Sequence, residues 1–224
     1  MNTVNKTSRV LGVAFLLQFV TSFINGFFLQ SALIVPGNIS ETMLRIANNP
    51  ALMRAFILVE MLSALGVIFL GAILFLTLRK QNEKIALVAL GFYILEAVLG
   101  VVSRLEAFPL LRISQEYITA GQPASLLTMA QVALESMDGG WALLMLAFCP
   151  GAILFYYLLY KSGVVPRWLS LWGLITVVPL LIAILLSMFE YQVPEFVLLP
   201  YLPFEPVIGV WILVKGIKDG SETK

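Results

Sequence analysis

Six stretches of this chain, at 10–35, 55–78, 85–108, 139–160, 168–189 and 196–214, run for 19 to 26 residues with almost no charge. A helix crossing the ~30 Å hydrocarbon core of a bilayer needs about 20 mostly apolar residues, and each run meets that need. The runs are continuously apolar rather than alternating, which excludes the strands of a membrane β-barrel. The expected fold is therefore all-α: a polytopic membrane protein with a six-span transmembrane helix bundle. No connection is long enough to fold alone, so residues 1–224 are expected to form a single membrane domain. Lys6 and Arg9 precede the first run as they would a secretory signal. That run exceeds the 7–15 residues of a signal's apolar region, and no A-x-A pattern follows Val35, so an uncleaved first span is expected.

Composition narrows the chemistry. Charged residues make up only 12% of the chain, against ~25% in soluble domains, and no basic face suited to nucleic acid exists. There is no histidine and one cysteine, Cys149. An internal disulfide is impossible, and metal sites built on His or several Cys are excluded. The same absences remove Ser-His triads, HExxH zinc proteases, His-ligated haem and dithiol redox chemistry. Intramembrane aspartyl proteolysis needs two aspartates within spans, whereas Asp138 stands at a margin and Asp219 in the tail. Neither a Walker-type loop nor GxGxxG occurs. The expectation is a protein without cofactor or metal and without enzymatic activity, with the lipid bilayer as its surrounding partner.

Lys and Arg set topology, because cytoplasmic loops retain positive charge. With the N-terminus inside, Lys6, Arg9, Arg79, Lys80, Lys84, Lys161, Arg167, Lys215, Lys218 and Lys224 fall on one side, ten of the fourteen. Arg45, Arg54, Arg104 and Arg112 remain for the other. Of thirteen acidic residues only Glu83, Asp219 and Glu222 join the basic side. Both termini are expected in the cytoplasm, in a plasma membrane of bacterial inner-membrane type. Trp141, Trp168, Trp172 and Trp211 mark span ends, and Tyr156, Tyr157 and Tyr160 crowd the end of the fourth span as interfacial anchors.

The inner connections are tight turns, at 79–84 and at 161–167 with Ser162-Gly163 and Pro166. The outer ones are longer. The 36–54 connection carries Pro36-Gly37 and Asn48-Asn49-Pro50 as turn chemistry, and Asn38-Ile39-Ser40 matches a glycosylation acceptor. Residues 124–138 are amphipathic: Leu127, Ala130, Leu134 and Met137 share one side, while Thr128, Gln131, Glu135 and Asp138 share another. They are expected to form a short amphipathic outer helix or the first turns of the fourth span, with Gly139-Gly140 as a joint. The pentapeptide Gly-Ala-Ile-Leu-Phe occurs at 71–75 and at 151–155, each time ahead of an inner basic loop. Chance recurrence and a duplicated hairpin both account for it. Pro150, Pro179 and the series Pro200, Pro203, Pro206 interrupt spans, so the outer half of the sixth should be irregular.

A charge inside a span costs a few kcal/mol on insertion scales and marks a candidate site. Glu60 lies about 7–8 Å and Arg104 about 6 Å below the same boundary, at ~1.5 Å rise per residue, on neighbouring antiparallel spans. They are expected to form an ion pair. Glu96 and Glu205 lie deeper, at about 18 Å and 13–14 Å. Glu96, Gly100, Ser103 and Arg104 share one helix face, as do Glu60, Ser63, Ala64, Val67 and Gly71, while Gln18 and Asn25 offer amides. Together Glu60, Glu96, Arg104 and Glu205 suggest a polar pocket in the outer half, roofed by Glu135 and Asp138. Two readings stand: the acids are satisfied structurally, or the pocket binds a small or lipid-like ligand. A small proton-coupled secondary transporter working through Glu96 or Glu205 is the alternative.

Several segments resemble a known family. "LLYKSGVVPRWLSLWG" at 158–173 and "FEPVIGVWILVKGIK" at 204–218 look like the best-kept stretches of uncharacterised bacterial membrane proteins grouped as domain of unknown function 4386. "SALIVPG", "RAFILVEML" and "YILEAVLG" fit the same pattern, and the resemblance spans nearly the whole chain. It implies a six-span integral membrane protein and no particular activity. It also implies that positions matching Arg54, Glu96 and Glu205 are often polar or charged. The chain departs from the pattern at Asp138-Gly139-Gly140, where members often place a histidine, so any His-dependent role is absent here.

Overall fold

A computed structural model describes residues 3–197 and 199–218, with side chains for all of these except 3–7 and 195. Asp219, Glu222 and Lys224, which the charge pattern assigns to the basic side, lie outside the described residues, as does the side chain of Lys6. The described residues are all-helical, without a strand. The helices are α1 (Thr3–Phe23), which continues through a π-helical stretch (Ile24–Gln30) into α2 (Ser31–Leu33), then α3 (Ile39–Asn48), α4 (Pro50–Leu78) and α5 (Glu83–Ser103). They continue as α6 (Ala107–Thr119), α7 (Ala124–Ser162), α8 (Arg167–Met188) and α9 (Phe204–Lys215).

Five segments are long and apolar enough to cross a membrane: Ser8–Leu33, Pro50–Leu78, Glu83–Thr119, Ala124–Ser162 and Arg167–Met188. Large apolar side chains such as Leu58, Leu65, Ile175 and Val214 stand more than half exposed. A water-soluble fold buries such side chains, so these faces belong against lipid. The apolar helices mark a membrane protein.

The sixth expected span is different. Only Phe204–Lys215 is α-helical, 12 residues, preceded by a single 3-10 turn at Glu195–Val197. The cause is the proline series. A proline ring clashes with the carbonyl four residues back, so Pro200, Pro203 and Pro206 bar helix through Phe196, Leu199 and Leu202. Pro206 itself is tolerated within the first turn of α9, where an N–H would lack a partner anyway. The irregular stretch before it is held by Trp172, whose Nε1 donates to the Pro200 carbonyl at 3.0 Å. Beyond α9, the Ile217 N–H donates to Ser8 Oγ at 3.0 Å and the Lys218 N–H to the Val164 carbonyl at 3.0 Å.

The third span also departs from expectation. Its helix does not stop at Phe108 but breaks at 104–106 and resumes as α6. Pro109 is the reason: it cannot bond to the Leu105 carbonyl and crowds it, so that carbonyl accepts from Phe108 instead, at 3.3 Å. Bonds of the i to i+3 type from Arg104, Leu105 and Ala107 tighten the chain there.

Of the two expectations for 124–138, a separate outer helix or the first turns of the fourth span, the structure shows the second: the segment starts α7, which runs unbroken through Gly139-Gly140 rather than jointed there. The short amphipathic helices are instead α3 and α6, which pack on each other. Thr42, Met43 and Ile46 of α3 and Leu110, Leu111, Ser114 and Tyr117 of α6 are buried. Asn38 accounts for the glycosylation-like tripeptide structurally: its Oδ1 accepts from the Glu41 N–H at 3.0 Å as the cap of α3, and Ser40 bonds to the Tyr117 hydroxyl at 3.0 Å. Asn82 caps α5 in the same way, accepting from Ile85 at 3.1 Å.

By contacts the described residues form two compact units. One comprises the first helix to Phe19, Leu65–Ala97 and the chain from Leu144 on; the other comprises Val20–Ala64 and Val98–Leu143. In the first unit the two Gly-Ala-Ile-Leu-Phe segments share a function in packing. A Cβ on Gly71 would lie 3.1 Å from Tyr93 Cβ, and one on Gly151 would lie 2.8 Å from Tyr93 Cδ2. Both glycines make room for the same ring. In the second unit a Cβ on Gly140 would collide with the Cα and Cβ of Ser103, whereas nothing lies within 4 Å at Gly139. Gly140→Ala should therefore destabilise by about 1–3 kcal/mol through overpacking. Gly139→Ala should stabilise by about 0.5–1 kcal/mol through its higher helix preference. Thermal melts of both variants in detergent check the opposite signs.

Candidate functional site

Of the five residues singled out by sequence, Glu60, Arg104 and Asp138 belong to the second unit, and Glu96 and Glu205 to the first.

In the second unit the expected ion pair forms. Arg104 Nε donates to Glu60 Oε2 at 3.3 Å, with the two side chains only 10% and 13% exposed. Arg104 is placed by the break that Pro109 causes at the end of α5, and its guanidinium lies 4.7 Å from the centroid of the Phe56 ring. The ring covers one face of the cation and shields it from lipid. Asn25 completes the group, donating from Nδ2 to Glu60 Oε2 at 2.6 Å. It sits within the π-helical stretch, and stretches of this kind occur often at functional sites. Asn25 Oδ1 is buried with no hydrogen-bond partner. Ser22 and Ser63 pair through their hydroxyls at 3.3 Å nearby in sequence. Asp138, on α7, lies within electrostatic range of Arg104. Gln18, the other amide proposed from sequence, belongs to the first unit, against Gly66.

In the first unit Glu205 stands in the first turn of α9, where the helix dipole favours a negative charge. Its Oε1 accepts from the Tyr201 hydroxyl at 2.9 Å, and Tyr201 bonds to the Tyr156 hydroxyl at 2.7 Å. Tyr93 lies within electrostatic range of Tyr156. Two phenols thus lead to one carboxylate, with a third beside them. Aromatic rings pack around them, with Tyr93–Phe155 centroids 5.0 Å apart, Phe148–Tyr201 5.5 Å and Tyr156–Phe204 4.8 Å. Glu96 is buried on α5, within electrostatic range of Tyr93, Tyr156 and Cys149.

This network corrects one reading. Tyr156 is no interfacial anchor: it is fully buried, while Tyr157 and Tyr160 remain exposed. Sequence reasoning missed Tyr93 and Tyr201, since a single tyrosine in an apolar run carries no periodic signal. The two glycines against Tyr93 were the available hint.

The chain belongs to the family described as a domain of unknown function (DUF4386), whose sequence profile matches residues 10–216. No curated protein and no solved structure matches it significantly.

Breaking a buried pair by removing one partner typically costs about 3–5 kcal/mol, because the other charge is left buried. Glu60→Ala and Arg104→Ala should each destabilise by about that much, and the double variant by clearly less than the sum. Strictly additive losses in a double-mutant cycle, read by melting in detergent, would sink the pairing.

Proposed function

We propose that this is a six-span, multi-pass protein of the bacterial plasma membrane, with both termini cytoplasmic and a single membrane domain. Its Asn25–Glu60–Arg104 cluster, with Asp138 nearby, binds a small or lipid-like ligand; the role is not enzymatic. Support for an even number of spans comes from the bonds joining Ile217 to Ser8 and Lys218 to Val164, which bring the end of α9 beside the start of α1. The unit that holds these ends also holds Arg79, Lys80, Lys84, Lys161, Arg167, Lys215 and Lys218, the set expected at the cytoplasm.

The observation that carries ligand binding is Asn25 Oδ1, an acceptor buried without a partner beside a buried ion pair. An orphaned buried acceptor costs about 1–3 kcal/mol. A ligand donor would remove that cost. Native mass spectrometry of the protein released from bilayers of bacterial polar lipid tests the reading. The wild type should carry a non-protein adduct that Asn25→Leu loses; an absence of any specific adduct overturns the reading.

The row Tyr156, Tyr201, Glu205 favours a second reading, proton-coupled transport. A hydrogen-bonded line of phenols ending on a carboxylate at membrane depth is the kind of path protons follow in transporters. Here pH-jump flux in proteoliposomes is the measurement, with Glu205→Gln and Glu96→Gln beside the wild type. Flux in the wild type that falls at least about tenfold in Glu205→Gln supports coupling; no flux in the wild type removes it.

A further inference from the structure

The unused valences of the Arg104 cluster specify what the ligand must carry. Asn25 donates from Nδ2 to a carboxylate, which fixes the amide's orientation and leaves Oδ1 as an unfilled acceptor. Glu60 accepts both of its bonds on Oε2, so Oε1 takes none. Arg104 donates only through Nε, and the N–H groups of both Nη atoms make no hydrogen bond among the described residues, although the residue is 8% exposed. The Phe56 ring covers a face of the guanidinium and not the edge that carries those donors. The site therefore offers a planar fork of donors and, beside it, two acceptors.

Charge narrows the choice further. Arg104 contributes one positive charge, Glu60 one negative charge, and Asp138 a second negative charge within electrostatic range. A plain anion would enter a site with no positive excess. A plain cation would leave the donors of Arg104 unanswered and meet its charge. A neutral group bearing both signs meets neither obstacle.

We infer that the site takes a zwitterion, its oxyanion on the Arg104 fork and its ammonium N–H groups on Asn25 Oδ1 and Glu60 Oε1. This rests on the ligand-binding reading above and names the class of ligand. Guanidinium matches carboxylate and phosphate through two parallel bonds, which a lysine ammonium cannot reproduce. The shared chemistry has two sources, a phosphodiester–ammonium lipid headgroup or a small soluble zwitterion.

The test uses full-length protein in nanodiscs. One arm offers phosphatidylethanolamine, a second phosphatidylglycerol, which has the oxyanion without the ammonium, and a third free glycerophosphoethanolamine, a neutral phosphodiester zwitterion, over an inert lipid. Inorganic phosphate is the control, and native mass spectrometry reads binding. The wild type should prefer an ammonium-bearing probe over phosphatidylglycerol and phosphate by at least about tenfold, the worth of one charge-assisted hydrogen bond. Arg104→Lys, which keeps the charge, and Asn25→Leu should each remove about that preference, in samples whose melting in detergent shows them folded. Binding of phosphatidylethanolamine alone assigns a lipid; binding of glycerophosphoethanolamine assigns a soluble source. Equal binding of phosphatidylglycerol or phosphate, or unchanged preference in both variants, overturns the zwitterion. A specific adduct of other chemistry also overturns it while leaving ligand binding in place, whereas the absence of any specific adduct removes both.

Discussion

A guanidinium cannot stand in hydrocarbon without a counter-charge, and much of one half of this chain is arranged around that constraint at Arg104. Pro109 ends the α5 hydrogen-bond ladder at 104–106 and so puts Arg104 at a helix end. Phe56 covers a face of the cation, Glu60 takes its Nε, and a π-helical stretch brings Asn25 to the same carboxylate oxygen. Each of these elements departs from a regular helix or from an apolar side chain. Each departure is unfavourable alone and is offset only in company with the others.

The other unit solves a different problem with the same economy of polar groups. Tyr93 and Tyr156 are buried, Tyr201 and Glu205 partly so, and among the described residues no basic side chain pairs with Glu205. Hydroxyls satisfy one another in a line that ends on the acid at the first turn of α9, where backbone N–H groups without helical partners favour negative charge. Gly71 and Gly151 let α4 and α7 approach Tyr93, which gives the repeated pentapeptide a physical reason whether or not it descends from a duplication.

Hydropathy made five helices long and apolar enough to cross a membrane legible, since length and apolar content are local properties. Matching depth along neighbouring spans was enough to pair Glu60 with Arg104. Glu96 was joined to that pair through a helix face shared with Arg104, and Glu205 through depth alone, which says nothing about the face a residue occupies. The break before α6 was written in Pro109, whose effect falls four residues upstream of itself and inside a run that reads as uninterrupted. The shortness of α9 was legible as irregularity, from its prolines, but not as loss of two-fifths of a span. Nothing in the composition of 24–30 distinguishes a π-helix from an α-helix, so Asn25 could be named as an amide partner but not placed.

Ion pairs of this depth are poor devices for stability: replacing one by apolar residues of similar volume is often neutral or favourable. If stability were the only demand on the Arg104 cluster, its simplest solution would be a leucine at each position. Among the described residues the chain instead holds an arginine with most of its donors unused, a carboxylate with one oxygen idle and an amide acceptor without a partner. A purely structural network tends toward complete satisfaction, because in a low-dielectric setting every idle valence is costly. Idle donors and idle acceptors kept side by side, with charges that nearly cancel, are what a binding site for a dipolar group requires before the group arrives.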